Sequence, residues 1–483
     1  MAGTIKVRVM YDCFGTMKPR SGAAVSLGYA GGVSNRKYTS RSGYVTFDAL
    51  GYWAASPCMW TGGRSASTCS CDRSPSIHRT TKWPHKTLLG PVIVQDPYAY
   101  CRICHDSQRP LHTYLGTDRE TWSLPVQEAA VDLASDESVG KAVAKLGRHH
   151  PGVEMERTTA LRLLHEHGKH ARTFIDARLG AARDLAELPW GLRGEGAAEL
   201  EVQWDAGMIP VATLEPIVPP EGEEPELTPI RGLHKRRKDC RWEEAKVGLA
   251  QKPGEVDRLY TVRSTGQLVE SFDDLFALAC MKGWTEQTQV RGLADGAKHI
   301  RPRMEEVFDV GDFRFILDRP HCKEHLTKAG EQLEAEGVLD EGVTVQQWAA
   351  QALAKLEAGN ADEVVDELTR AWEASGPDPT SWNDRLRLEA GYFNRNSDAV
   401  AYAEYRALDW STASSEVESA QGHVVQARMK ISGAWWHPDN VDDILALRML
   451  KANGWWGEYW DDQRRAWRKR AATFAEARHD RAG

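Results

Sequence analysis

The sequence predicts a mixed α/β protein built around one sheet, with helical regions before the sheet and inside it. The phrase AELEVQWDAGMIPVATL holds two β runs around a turn signal at 205–207. Further strand patterns then alternate with helical ones as far as residue 318. Helical periodicity dominates 123–185 and returns over 323–395. Hairpin strands followed by alternating strands and helices are typical of a mixed sheet.

Length and composition are those of an ordinary globular protein. The chain has 483 residues, of which 41% are hydrophobic and 27% charged, so about three domains are expected. Fibrous, fully disordered and disulfide-stapled classes are thereby excluded. No apolar run is long enough for a transmembrane helix, and the N-terminus lacks the apolar core of a signal peptide. Nine scattered cysteines favour a reducing compartment, so we expect a cytoplasmic protein.

The chain is expected to fall into seven regions. They are a poorly ordered or divergent segment at 1–86, a Cys-containing hairpin at 87–122, a helical DNA-binding region at 123–190, a first part of the sheet domain at 191–322, an all-helical insertion at 323–398, a second part of the sheet domain at 399–450, and a Trp-rich, basic helical tail at 451–483. Within the first region, 56–86 shows no periodicity and is expected to be loop or disorder. The helices of 123–190 are compatible with a helix-turn-helix-like module or with any small helical bundle.

Charge is unevenly distributed along the chain. The formal net charge is -8, yet 1–120 carries an excess of eight positive charges. Acidic residues concentrate at 221–226 and across 331–375, and basic islands lie at 234–241 and 464–470. This pattern is compatible with DNA binding or with a solvated surface and does not decide between them.

Three acids stand out by position: Asp205 and Asp295 follow β runs, and Glu418 lies one turn into a helix. Acids at strand ends point into the cleft where ligands of open sheets bind. Carboxylates are the ligands that Mg²⁺ prefers, and a pair of such ions supports phosphoryl transfer. Each acid also has a structural alternative, because Asp-Gly sequences form turns and Ser415 with Glu418 matches a capping box.

The region from Thr87 to Trp460 resembles the DDE transposases of bacterial insertion sequences, in the ISKra branch related to Mutator-like elements. The phrases that carry the resemblance are CRICHDSQRPLHTYLG, VQWDAGMIPV, LADGAKHI, FILDRPH, SSEVESAQGHVVQARMK, SGAWW and ALRMLKANGWWGEYW. The resemblance implies an RNase H-like fold with an all-α insertion between the second aspartate and the glutamate. It implies that Asp205, Asp295 and Glu418 are catalytic and hold two Mg²⁺ ions. Asp318 and His321 match a (C/D)-x-x-H signature and would orient a ligand or hold the insertion.

The implied function is DNA cleavage and strand transfer at the terminal inverted repeats of an insertion sequence. The helical N-terminal region would bind double-stranded DNA, and the chain would act as a homo-oligomer near the nucleoid, without a membrane partner. The expected phosphate contacts are Lys235, Arg236, Arg237, Lys238, Arg428 and Lys430. Two alternatives stay open: an RNase H-like nuclease without strand transfer, and an inactive or domesticated DNA-binding relic.

A zinc site is a further expectation, because relatives pair a second cysteine couple with Cys101 and Cys104. Structural zinc takes four such ligands. The upstream candidates here are Cys58, Cys69 and Cys71, in a stretch that does not resemble the family.

Overall fold

The fold is seen in a computed structural model of the whole chain. It describes the backbone of residues 76–105, 107–108, 122–187, 196–217, 236–264, 266–309, 311–375 and 384–479, together with strands inside 4–48. Among these residues, no helix is both long and apolar enough to cross a bilayer.

Strands and helices alternate only in the middle of the chain. The strands are β1 (Thr4–Arg8), β2 (Met10–Cys13), β3 (Thr16–Pro19), β4 (Ala24–Val25), β5 (Gly28–Tyr29), β6 (Gly32–Val33), β7 (Lys37–Tyr38), β8 (Tyr44–Asp48), β9 (Ser76–Thr87), β10 (Gly90–Tyr100), β11 (Ser107–Gln108), β12 (Glu199–Pro216), β13 (Arg236–Gln251), β14 (Arg258–Arg263), β15 (Gln289–Ala294) and β16 (Asp312–Leu317). The α-helices are α1 (Leu124–Asp136), α2 (Val139–His149), α3 (Arg157–Ala186), α4 (Leu268–Met281), α5 (Ile300–Val307), α6 (Arg319–Ala335), α7 (Val345–Glu357), α8 (Ala361–Ala374), α9 (Arg385–Arg395), α10 (Tyr402–Ala407), α11 (Ser415–Ala420), α12 (Ala427–Met429), α13 (Val441–Ala452) and α14 (Trp456–His479).

The chain forms two compact units, of which the first comprises Met1–His167 and Trp455–Gly483. Its hairpin pairs β9 with β10 along their lengths, so the expectation of loop or disorder throughout 56–86 is wrong for 76–86. Strand β9 contains few apolar residues and shows no period of two. Its backbone groups are satisfied by β10, a partner that local periodicity does not reveal. In the same unit, the His167 ring bonds to the buried Tyr459 hydroxyl at 2.8 Å, which ties α3 to α14.

The second unit, Gly168–Gly454, contains a five-stranded mixed sheet of order β14-β13-β12-β15-β16. The three strands β12, β13 and β14 form an antiparallel meander. Strands β15 and β16 then run parallel to β12 on its other side. The predicted mixed α/β fold is therefore confirmed at this level.

The predicted turn at 205–207 is wrong, because β12 runs without interruption from Glu199 to Pro216. Asp205 pairs with Val247 and Gly207 pairs with Ala245 in an unbroken antiparallel register. Gly207 has a different role: a Cβ there would lie 2.7–3.1 Å from the end of the Gln421 side chain, which would have to shift. The glycine permits close approach by the helical segment above the strand.

The two faces of the sheet are covered by different helices. Trp204 stacks on Phe272 of α4, with ring centroids 5.0 Å apart. The neighbouring Gln203 bonds instead to the backbone N–H of Val417 in α11. Because successive strand residues point to opposite faces, α4 and α11 cover opposite sides of β12.

The segment 323–398, expected to be a helical insertion, contains α7, α8 and α9 and most of α6, with no strand among its described residues. The chain then returns to the sheet through α11. Helix α11 continues into a π-helical turn at 421–426 and then into α12. Such π turns are frequent at functional sites.

Candidate active site

Three aspartates lie level with one another along one edge of the parallel part of the sheet. Asp295 follows β15 directly and Asp318 follows β16 directly, and their preceding residues Ala294 and Leu317 are register partners. The last paired residues of the β12–β15 ladder are Gln203 and Leu293. Two residues further along each strand, the same register places Asp205 level with Asp295. Sequence analysis identified all three acids, but their alignment follows from the strand register.

Glu418 is brought to this edge by contacts between α11 and β12. The buried Gln203 amide accepts a hydrogen bond from the Val417 N–H at 3.0 Å through Oε1. Its Nε2 donates to Glu416 at 3.1 Å and to Glu201 at 2.7 Å. Gln203 lies two residues before Asp205 on the same face of β12. Strand β12 therefore carries Asp205 and also positions α11, the helix that carries Glu418.

A second glutamine locks the π-helical turn onto the same strands. Gln421 Nε2 donates to the backbone carbonyls of Ala245 at 2.9 Å and Asp205 at 3.3 Å. Gly207 supplies the space for this contact. Neither Gln203 nor Gln421 was singled out from the sequence. The available signal was a buried-type β run, LEVQW, that contains a polar residue two positions before the acid.

Asp318 is fully buried and receives four hydrogen bonds. One oxygen accepts from the Ser414 N–H at 2.6 Å and from the Ser414 hydroxyl at 2.9 Å. The other accepts from the His321 N–H at 3.0 Å and from His321 Nδ1 at 2.6 Å. Asp318 therefore caps α6 and also ties the residue before α11 to the end of β16.

The predicted capping box of Ser415 and Glu418 is not formed. The N-cap position of α11 is Ser414, its side chain makes no capping bond, and Ser415 is the first helical residue. The Ser414 hydroxyl is used by Asp318 instead. Glu418 is thereby free of the structural role that the spacing suggested.

The hydrogen bond between Asp318 and His321 shifts the pKa values of both groups. The hydrogen bond that His321 donates to Asp318 raises the pKa of His321 to about 9, against the effect of burial. Although burial opposes it, hydrogen bonding to His321 and Ser414 holds the pKa of Asp318 below its usual value. His321 therefore carries a positive charge at neutral pH beside a cluster of acids.

The pKa values of Asp205 and Glu418 are shifted in the opposite direction. Burial raises the pKa of Asp205, and the charges of Asp295 and Asp318 add to the effect. Burial likewise raises the pKa of Glu418, with further contributions from Asp318 and Asp205. Crowded carboxylates of this kind are stabilised in the charged form by a bound cation.

Asp318, His321 and Glu418 offer ligand atoms that all lie within 4.8 Å of one another, so this group could hold a metal ion. Within the described residues, Asp205, Asp295 and Glu418 do not form a group that tight. His321 shares its Nδ1 with Asp318 in a hydrogen bond, which leaves Nε2 as the ring atom that could face an ion. Asp205, Asp295 and Glu418 are a donor set of carboxylates only, which fits Mg²⁺.

The expected phosphate contacts divide into exposed and buried residues. Arg236, Arg237, Lys238 and Lys430 are exposed, while Lys235 lies outside the described residues. Arg428 differs from them: its residue is 2% exposed, and its guanidinium lies 4.5 Å from the centre of the Trp436 ring. A phosphate contact by Arg428 stays a prediction that would require this side chain to become accessible.

The zinc prediction concerns a different part of the chain. Cys101 is buried and Cys104 half-buried at the end of β10. Cys58, Cys69 and Cys71 lie outside the described residues, and no cysteine-containing metal group occurs within the described part. Zinc binding stays a prediction.

Comparisons with known proteins identify no relative. No family model, no curated protein and no solved structure matches the chain.

Proposed function

We propose that this chain is a DDE-type transposase, which cleaves DNA at the terminal inverted repeats of an insertion sequence and joins the ends to a target. The observation that carries the proposal is the convergence of Asp205 and Asp295, level on adjacent parallel strands, with Glu418 on a helical segment held to β12 and β13. The mixed sheet and its helical excursion support an RNase H-like core with an all-α insertion.

The three carboxylates of Asp205, Asp295 and Glu418 would hold two Mg²⁺ ions. When bound, such ions supply electrostatic stabilisation of the attacking and leaving oxygens in phosphodiester displacement. Gln203 and Gln421 keep Glu418 in place before DNA arrives, so the site needs little reorganisation. The His321 imidazolium offsets part of the negative charge that would otherwise repel a phosphate.

We also propose the partners of the chain and the place where it acts. The helices α1 to α3 would recognise the inverted repeats, and the chain would work as a homo-oligomer because two ends must be joined. It would act in the bacterial cytoplasm, near the nucleoid. The exposed Arg236, Arg237, Lys238 and Lys430 remain available for phosphate contacts.

Strand transfer can be tested with purified protein, Mg²⁺ and a plasmid that carries the two DNA ends found beside the coding sequence. We expect nicked or cut ends and joined products, both dependent on Mg²⁺. Glu418→Gln should abolish both, because the amide has similar shape but no charge to hold the cation. The matched control is Glu331→Gln, which removes an exposed glutamate of α6 and should leave activity intact.

The two alternatives give different products in the same assay. Cleavage without joined products would favour an RNase H-like nuclease. Binding of the ends without any cleavage would favour a DNA-binding relic. Cleavage that survives Glu418→Gln would contradict the assignment of the acids.

A further inference from the structure

Strands β12 and β13 continue well beyond the five-stranded sheet as a two-stranded ribbon. The partner β15 covers only Glu199–Gln203 of β12, and β14 covers only Lys246–Gln251 of β13. The ribbon therefore comprises 207–216 paired with 236–245. This extension presents two faces of its own, whose side chains alternate along each strand.

One face of the ribbon carries two exposed tryptophans. Trp242 is 55% exposed and Trp435 is 37% exposed, and their ring centroids lie 6.4 Å apart. The position of Trp435 is set by the backbone of its neighbour Trp436. The backbone N–H of Trp436 donates to the Pro210 carbonyl at 3.2 Å, and its carbonyl accepts from the Ala212 N–H at 2.8 Å. The aromatic pair is thus held by backbone pairing and still open to solvent.

Cations flank the two rings. Lys238 Nζ lies 4.8 Å from the Trp435 ring centre, and Lys430 Nζ lies 5.9 Å from the Trp242 ring centre. Arg236 shares this face by alternation with Lys238. Within the described part of the chain, none of these three cations has a carboxylate partner.

The ribbon's charges are sorted between its faces. Asp239 and Glu243 lie on the opposite face, where both pair with Arg241, at 3.7 Å and 2.7 Å. The one acid on the tryptophan face is Glu244, which lies 3.6 Å from Lys246. The tryptophan face is consequently positive and aromatic, whereas Asp239 and Glu243 on the opposite face are both paired with Arg241.

We propose that this tryptophan face, formed by Arg236, Lys238, Trp242, Lys430 and Trp435, binds an unpaired DNA strand. Its bases would stack on the two tryptophans, and its phosphates would contact the three cations. Exposed aromatic rings favour a single strand, because bases inside a duplex already stack on each other and leave only phosphates within reach. The inference rests on the proposed function only for the source of the strand, which would be a DNA end opened during cleavage.

The proposal can be tested by fluorescence anisotropy with a labelled thymidine oligonucleotide of about twelve nucleotides and a duplex of equal length. All proteins carry Glu418→Gln, so that the DNA stays intact. We expect Trp242→Ala to weaken binding of the single strand by about tenfold and binding of the duplex far less. Lys238→Ala combined with Lys430→Ala should lower the salt slope for the single strand by about 1.4.

The matched control is Arg241→Ala, since Arg241 is exposed on the opposite face of the same ribbon. It should leave the preference for single strands unchanged. Cys240 gives a second readout, because it is exposed and shares the face of Lys238 and Trp242. Saturating oligonucleotide should slow alkylation of Cys240, as measured by peptide mass mapping.

Several outcomes would overturn the proposal. One is unchanged single-strand affinity in Trp242→Ala, and another is unchanged alkylation of Cys240 in the presence of oligonucleotide. Equal losses for single strand and duplex would indicate phosphate contacts alone. If Trp242→Ala instead converted a dimer to a monomer with no effect on DNA, the face would be an interface between copies. Because cleavage is not needed for any arm, failure of the proposed catalytic function would show separately, in the strand-transfer assay.

Discussion

Replacement of Asp318 by asparagine is the sharpest test of how the candidate site is held together. The carboxylate is fully buried and accepts two hydrogen bonds on each oxygen, from Ser414 and from His321. An asparagine keeps one acceptor oxygen, while its NH₂ group faces two donors whichever way the amide is oriented. Two hydrogen bonds are therefore lost, and the imidazolium loses its counter-charge.

The cost can be worked out from the pair itself. The pKa of His321 rises from 6.5 to about 9 in the folded protein, which corresponds to at most about 3 kcal/mol of stability. Removing one partner of a buried charge pair costs about 3–5 kcal/mol in general. We expect Asp318→Asn to lower the free energy of unfolding by an amount within that range.

The pH dependence has a definite sign. His321 has a raised pKa, so its contribution is complete below about pH 6.5 and is lost as the pH rises through about 9. Asp318 has a lowered pKa, so its contribution is lost as the pH falls through its folded value. The pair stabilises the fold most between the unfolded pKa values of the two groups, and less toward alkaline pH.

Urea unfolding of the wild type, Asp318→Asn and His321→Gln, with a chelator present, measures this directly. The wild type should lose stability between about pH 6.5 and 9, and both variants should lose much less over that interval. NMR titration should find the His321 pKa much lower in Asp318→Asn. If Asp318→Asn lowered the free energy of unfolding by less than about 1 kcal/mol relative to the wild type near pH 6, the reasoning would be refuted.

Three further substitutions test the contacts around Glu418. Gln203→Leu removes the acceptor of the Val417 N–H and should lower the free energy of unfolding in urea by about 1–3 kcal/mol. It should also lower cleavage by at least tenfold. The same loss of stability with full cleavage would contradict the positioning role of Gln203. Gly207→Ala should also reduce cleavage, because its Cβ would meet the Gln421 side chain at 2.7 Å; unchanged activity would mean that this close contact is dispensable. Glu416→Gln keeps an acceptor for Gln203 and should retain cleavage, so a dead enzyme would indicate that the wrong glutamate has been assigned.

The sequence alone predicted the class of fold and the elements that carry the acids. The β runs that precede Asp295 and Asp318, and the helix that holds Glu418, are local patterns set by side-chain periodicity. The mixed sheet follows from the order of those patterns. The prediction of a turn at 205–207 was wrong. Asp and Gly favour turns, but Gly also occurs inside a strand where another element approaches closely, as Gln421 does here. A local pattern does not distinguish the two cases.

Long-range pairing decided everything that sets the site's geometry. Gln203 and Val417 meet across 214 positions, and Ser414 meets Asp318 across 96, so no local window relates them. Arg428 and Lys430 are equally basic in sequence, yet one is buried against Trp436 and the other is exposed. Periodicity records which side of an element is apolar, but only the packed structure determines which neighbour covers that side and whether a charge there still meets water.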